Sequence, residues 1–342
     1  RRPPQITDHK PRNHSATEGI SMVLQINRTT KYFGLKQFGT LLIAAAFITL
    51  VLSGRSQAET GKQQTFASPE EAVTALVAAL KTGDTKTLSA IFGPESKDIL
   101  SSGDPVADKA EHEQFIKRYD QKNRLEEETT GKMTLSIGDE DWPFAIPIVK
   151  EAGAWRFDTG AGREEILARR IGRNELDVIQ VCLAFVDAQR EYARNDRNGD
   201  GFREYAQKFR SDSGKQDGLY WEAKEGDEQS PFGPLLAAAQ EEGYPGRPAG
   251  SEPVPYHGYY YRILKAQGKN APGGAYDYII NGKMIGGFAV VAHPADYANS
   301  GIMTFIVNHD DVVYQKDLGE NTEELVKAMT LFDPDETWTP AQ

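Results

Sequence analysis

The sequence predicts an α+β protein of two domains. The first is a set of helices followed by a curved antiparallel sheet. The second is a long helix followed by an antiparallel β-meander. Three observations carry this reading. The length is 342 residues, enough for two domains at about 150 residues each. The apolar period is helical from Ser68 to Lys122 and then changes to two. The order of helix before strands starts again after residue 160, in a stretch rich in tyrosine and β-branched residues.

In the first domain, residues 59–160, Ser68-Pro69-Glu70-Glu71 is a helix start. Ser68 can cap, Pro69 suits the first helical position, and Glu71 completes a capping box. Val73, Leu76, Val77 and Leu80 form one apolar face, and Gly83 ends it. Asp84 begins a second helix through Leu88, Ile91 and Phe92. Pro105 to Lys122 spaces Val106, Ala110, Phe115 and Tyr119 as a third. Strands follow by alternation at Met133, Leu135 and Ile137, at Phe144, Ile146 and Ile148, and at Trp155 and Phe157. The turn Glu151–Ala154 joins the last two runs.

In the second domain, residues 161–342, Arg163 to Arg173 reads as a short helix. Asn174 opens a long one to about Asn195, striped by Leu176, Ile179, Cys182, Leu183 and Val186. Pro231 to Ala239 is a further short helix. Strands are expected at Tyr256–Ala266, Tyr276–Ile280, Met284–His293, Met303–Val307 and Val312–Lys316. Asn308–Asp311 is a hairpin turn. Gly286-Gly287 marks a bulge inside its strand, and Thr322–Leu331 closes the chain as a helix.

The charge is uneven. Residues 1–58 hold eight basic and two acidic side chains, so the formal −11 of the whole becomes −17 over 59–342. Lys31 and Lys36 precede a 12-residue apolar core, Leu41–Leu52, and Ser56-Gln57-Ala58 offers small residues before Glu59. This is the pattern of a cleaved export signal, with an uncleaved N-terminal anchor as the alternative. A spanning helix needs about 20 apolar residues, more than this run supplies. Residues 1–21 have no apolar period and read as disordered, with Met22 as the expected true start. The expected location is periplasmic or secreted, with no membrane insertion once the signal is cleaved. The acidic body argues against nucleic acid and anionic membranes as partners. The single cysteine, Cys182, lies on an apolar helix face and reads as an inert core thiol.

Two partial likenesses follow from the element order. Helices and then a curved sheet ending in V-K-E-x-G-x-W-R-F-D resemble the cone of the nuclear transport factor two-like group. That group includes enzymes, but Asp141, Asp158 and His112 are isolated and carry no pocket chemistry over. A long helix followed by a meander, with Y-H-G-Y-Y-Y-R and D-D-V-V-Y-Q-K-D, resembles the soluble part of pilins and pseudopilins. The hydrophobic pilin helix is absent, so polymerisation is not implied. The distinctive phrases F-A-S-P-E-E-A-V, S-S-G-D-P-V-A-D, R-R-I-G-R-N-E-L, G-L-Y-W, P-Y-H-G-Y-Y-Y-R-I-L and S-G-I-M-T-F-I-V-N are similar to the bacterial secreted uncharacterised-domain family 2950. That resemblance implies an exported bacterial protein and no catalytic residue.

One motif has stated chemistry. Asp196, Asn198, Asp200, the backbone of Phe202 and Glu204 follow the front of an EF-hand calcium loop, with Gly201 at position six. Gln207 stands where the bidentate glutamate belongs, so any calcium is held weakly, and a polar loop is the competing reading. The tyrosine-rich strand supplies a candidate binding surface at Tyr256, His257, Tyr259 and Tyr261. Its competing use is core and rim packing. His257, His293 and His309 have no zinc spacing. Ser300 near His293 and Asp296 lacks a nucleophile elbow. No catalytic residue and no cofactor other than calcium is expected. Two functions remain: a non-catalytic envelope protein that binds a partner or ligand, and a secreted hydrolase of unrecognised type.

Overall fold

A computed structural model describes residues 62–224, 226–245 and 253–341. The proposed export signal, Met22 and the upstream residues lie outside these. The fold is α+β, and all described residues fall in one compact unit. The unit contains two hydrophobic clusters.

The first cluster is built by α1 (Pro69–Thr82), α2 (Thr85–Phe92), a 3₁₀ turn (Pro94–Ser96), α3 (Lys97–Leu100) and α4 (Pro105–Gln121) against a sheet. Ser68 caps α1 by accepting from the Glu71 N–H at 3.1 Å. The Glu71 carboxylate reaches back to the Ala67 N–H at 2.9 Å, one residue before the expected partner. The sheet runs β1 (Asn123–Thr129), β2 (Lys132–Ile137), β4 (Ile148–Glu151), β5 (Ala154–Phe157), with β3 (Trp142–Pro143) also on β2. β1 is a strand the apolar pattern does not announce. Only Leu125 is partly covered, opposite Leu135, and the charged remainder suits an exposed edge.

The helix after residue 158 corrects the expectation of two helices. α5 runs unbroken from Thr159 to Tyr192, 34 residues, so it is about 51 Å long. Asn174 does not cap a new helix. Its side chain instead donates to the Ser300 carbonyl at 2.8 Å, so a tertiary bond replaces the local one. The N-terminal end of α5 packs on the first cluster, where Gly162 lies so close to Ile146 that a Cβ would meet it at 2.6 Å. The later turns, through Val178, Cys182, Phe185 and Val186, pack in the second cluster.

After α6 (Gly233–Glu241), a five-stranded antiparallel sheet builds the rest of that cluster. Its strands are β6 (Tyr259–Leu264), β11 (Ala289–Pro294), β12 (Met303–Asn308), β13 (Tyr314–Asp317) and β14 (Thr339–Pro340), adjacent in that order. Four of the five expected strands enter this antiparallel sheet. Tyr276–Ile280 does not: it splits into two short strands outside the sheet, and β6 pairs directly with β11. Short pairs lie beside the sheet: β7 (Ala266–Gln267) with β8 (Tyr276–Asp277), and β9 (Ile279–Ile280) with β10 (Lys283–Met284). The expected strand Met284–His293 is interrupted at 285–288. There the N–H groups of Ile285 and Gly286 both turn to the Tyr278 carbonyl, so the glycines end a strand instead of bulging it. α7 (Thr322–Ala328) stops short of Leu331. Arg262 donates to the carbonyls of Val326 and Met329 and caps it there.

Candidate functional site

The stripe of α5 that faces inward runs Ile166, Arg170, Asn174, Val178, Cys182, at four-residue spacing. Two of these are polar and buried, and both reach across the molecule. Arg170 is 3% exposed. Its guanidinium donates to the carbonyls of Asp98 at 2.7 Å and Ile99 at 2.9 Å, and to Asn299 Oδ1 at 2.5 Å. Its Nε is buried with no partner among the described residues. Asn299 passes the connection on, donating from Nδ2 to the Ser101 carbonyl and to Asp296 Oδ2, both at 2.9 Å. One turn along, Glu175 Oε1 accepts the N–H groups of Ile302 and Met303.

A second buried connection lies nearby. Asp104 is 1% exposed and caps α4, its Oδ1 accepting from Val106 and Ala107. Its Oδ2 accepts from Tyr244 Oη at 2.8 Å and from the Gly258 N–H at 3.1 Å. Burial and the facing Asp104 carboxylate push the Tyr244 hydroxyl far above its ordinary value. The turn that presents Gly258 is a two-residue hairpin between Tyr256 and Tyr259. His257 has φ +51° and Gly258 φ +72°, the left-handed pair such a tight turn requires. His257 is therefore held rigidly. Its Nδ1 lies 3.5 Å from Asp177 Oδ2, its Nε2 3.8 Å from Glu242 Oε2, and its ring 4.1 Å from that of Tyr256.

A cleft of about 610 Å³ opens beside this seam, lined by Pro94, Glu95, Lys97, Asp98, Ser101, Gly103, Arg163, Asp296 and Asn299. Its walls come from the 3₁₀–α3 segment, from α5 and from the loop between β11 and β12. Arg163 pairs with Asp98 across it.

The residues singled out by sequence meet different fates. Tyr259 leaves the candidate surface: it is fully buried, with its hydroxyl on the Met303 carbonyl at 2.9 Å, because its side of β6 faces the core. Tyr261 is half-buried and donates to the Tyr256 carbonyl. Tyr256, His257 and Tyr261 remain partly open. Ser300 is also fully buried, and its hydroxyl bonds both backbone groups of Asp296. Among the described residues no histidine reaches it. His293 lies at 5.7 Å from the Tyr260 ring, and burial lowers its basicity. Desolvation pushes the Cys182 thiol up to about 12. Asp141 is paired with Lys122.

The calcium-like loop curls as its residues suggest. Asp196 accepts from the N–H groups of Gly199, Asp200 and Gly201, and Gly201 has φ +88°. Several of the loop's other side chains are bonded within the protein. Asp200 Oδ1 accepts from the Phe202 N–H and Oδ2 from the Lys283 ammonium, Asn198 donates to Glu204, and Gln207 bonds the Gly282 carbonyl. Among the described residues no group of three or more acidic, histidine or cysteine side chains is arranged to hold a metal ion.

Arg170, Asn174, Asp104, Tyr244 and Asn299 were not singled out by sequence. The available signal was a cation and an amide at positions four apart on an otherwise apolar stripe. Four of the six distinctive phrases, those containing Asp104, Arg170 with Asn174, His257 with Gly258, and Ser300, meet at this seam. No curated protein and no solved structure matches the chain. A family model described as protein of unknown function (DUF2950) matches residues 63–341, which takes in both clusters and the seam between them. The chain belongs to that family.

Proposed function

We propose that the chain is an exported bacterial envelope protein that works as a non-catalytic binding module and holds a small ligand in the cleft beside Asn299. The observation that carries this is the cleft itself. Its volume falls in the range of about 300–1,000 Å³ common for small-molecule sites. Its walls are fixed from behind by Arg170 and Asn299, so a ligand meets a pre-formed surface. The export pattern at Leu41–Ala58 supports an envelope location. The −17 body disfavours nucleic acid and anionic membranes. The hydrolase alternative loses its motive, since the Ser300 hydroxyl is engaged by its own loop.

Native mass spectrometry of the protein purified from its own envelope fraction tests the reading. The expected result is a bound small molecule that is lost in Ser101→Trp, which fills the cleft mouth from an exposed position. No adduct, or an adduct indifferent to Ser101→Trp, overturns it.

A further inference from the structure

We propose that this cleft takes a small zwitterion, a free amino acid or short peptide held by its ammonium and its carboxylate; the proposal rests on the binding reading above. The lining presents both signs of charge. Lys97 and Arg163 stand against Glu95, Asp98 and Asp296, and the Arg170 guanidinium lies behind Asn299. The lining itself carries two cations and three anions, and the third cation, Arg170, is buried behind it.

These charges are not all spent on one another. Asp98 is taken by Arg163, and Asp296 accepts from Asn299. Among the described residues Lys97 and Glu95 have no ion-pair partner, both are exposed, and Arg163 keeps further N–H groups unbonded. A site with an open ammonium and an open carboxylate rejects a plain anion or cation, because each meets a like charge. A ligand carrying both charges satisfies both. The −17 body also repels a net anion and leaves a neutral zwitterion unaffected.

The buried guanidinium orients the ligand. Arg170 is 3% exposed, bonds three oxygens that are all formally neutral, and has an orphaned Nε. A buried cation without a counter-charge is costly. A ligand carboxylate against the Asn299 wall, beside Lys97 and Arg163, supplies that counter-charge. The ligand ammonium then faces Glu95 and the free oxygen of Asp296.

Isothermal titration with alanine, dialanine and trialanine, each compared with its N-acetyl and C-amide forms, tests this. At least one uncapped form is expected to bind, with capping of either end weakening it about tenfold or more. Lys97→Met should weaken the uncapped form and leave the amide unchanged. Glu95→Gln should weaken the uncapped form and leave the acetylated form unchanged. Both side chains are exposed, so neither variant threatens the fold. No heat with any uncapped form overturns the zwitterion, as does sensitivity to only one cap. If the cleft still carries a native ligand that Ser101→Trp removes, the zwitterion alone has failed and the binding reading stands.

Discussion

Tyr244→Phe removes one hydroxyl and tests whether the Asp104 connection joins the two clusters. Tyr244 Oη donates to a carboxylate that is 1% exposed, 140 residues away in sequence. A hydrogen bond to a charged group contributes about 1.5–3 kcal/mol. Asp104 keeps three N–H donors after the change, from Val106, Ala107 and Gly258, while the His257 N–H loses the hydroxyl it donates to at 3.3 Å, so the expected loss is about 2 kcal/mol. Asp104→Ala goes further. It removes the cap of α4 and strands the Tyr244 hydroxyl and the Gly258 N–H, for about 4 kcal/mol in all. The double variant should recover about 1–2 kcal/mol of coupling, because each single change breaks the same bond. Urea unfolding followed by tryptophan fluorescence measures this, and the tryptophans are well placed. Trp142 and Trp155 pack on the first cluster, Trp221 and Trp338 in or on the second. Replacing Trp142 and Trp155 by Phe leaves fluorescence to report the second cluster alone. Asp104→Ala, made in the first, should lower that midpoint too. A Tyr244→Phe loss under about 0.5 kcal/mol, or an unmoved midpoint for the second cluster, refutes the reasoning.

Alkaline pH should unfold the protein steeply. Burial raises Tyr192 to about 12 and holds Tyr244, Tyr256, Tyr259 and Tyr278 higher still. The folded chain therefore keeps protons that the unfolded chain releases above pH about 10, and stability falls by about 1.4 kcal/mol per pH unit for each such tyrosine. Neutral pH is unaffected. These five hydroxyls should ionise only together with loss of helix, and a full tyrosinate rise before unfolding contradicts their burial. Cys182 should not react with a thiol reagent in the folded state at pH 8 and should react fully in denaturant, since burial holds the thiol at about 12. Titration of the protein with millimolar calcium should give no heat, because the Lys283 ammonium already sits on Asp200; measurable binding refutes that account of the loop.

Most of the second sheet was legible because β11 and β12 are almost continuously buried, largely apolar runs between turn formers. β1 was not, because an exposed edge strand needs only one apolar contact and its charges carry no period. The single helix α5 reads as two because Asn174 imitates a helix start; nothing local announces that Asn174 bonds Ser300. The tyrosine surface was half legible. Alternation correctly demands that some of Tyr256–Tyr261 face inward, but it does not say which, and Tyr259 is one that does. The seam was the least legible part. Asp104 reads locally as a helix cap and Arg170 as one arginine in a basic run, and each is that as well. Their second role depends on partners more than 100 residues away, Tyr244 and Asn299.

The seam sets a physical question that packing alone does not answer. An apolar junction of the same shape would avoid the desolvation of Asp104 and Arg170, and replacing buried charges by apolar groups is often neutral or stabilising. Asp104 is nevertheless saturated with four donors, whereas Arg170 has neither a carboxylate nor a partner for its Nε among the described residues. The two differ in what lies beside them. Asp104 faces protein on every bonded side. Arg170 stands behind Asn299, and Asn299 is a wall of the cleft. A charge left without compensation next to an open cavity is what a site for a carboxylate requires, and it is what a purely structural seam would remove. Arg170→Met therefore separates the two roles. If the guanidinium is structural, stability falls through the lost bonds to Asp98, Ile99 and Asn299. If its charge also serves the cleft, binding of the uncapped alanine peptides falls as well, while binding of their C-amide forms stays unchanged. Lost stability with unchanged peptide binding would make Arg170 a strut and nothing more.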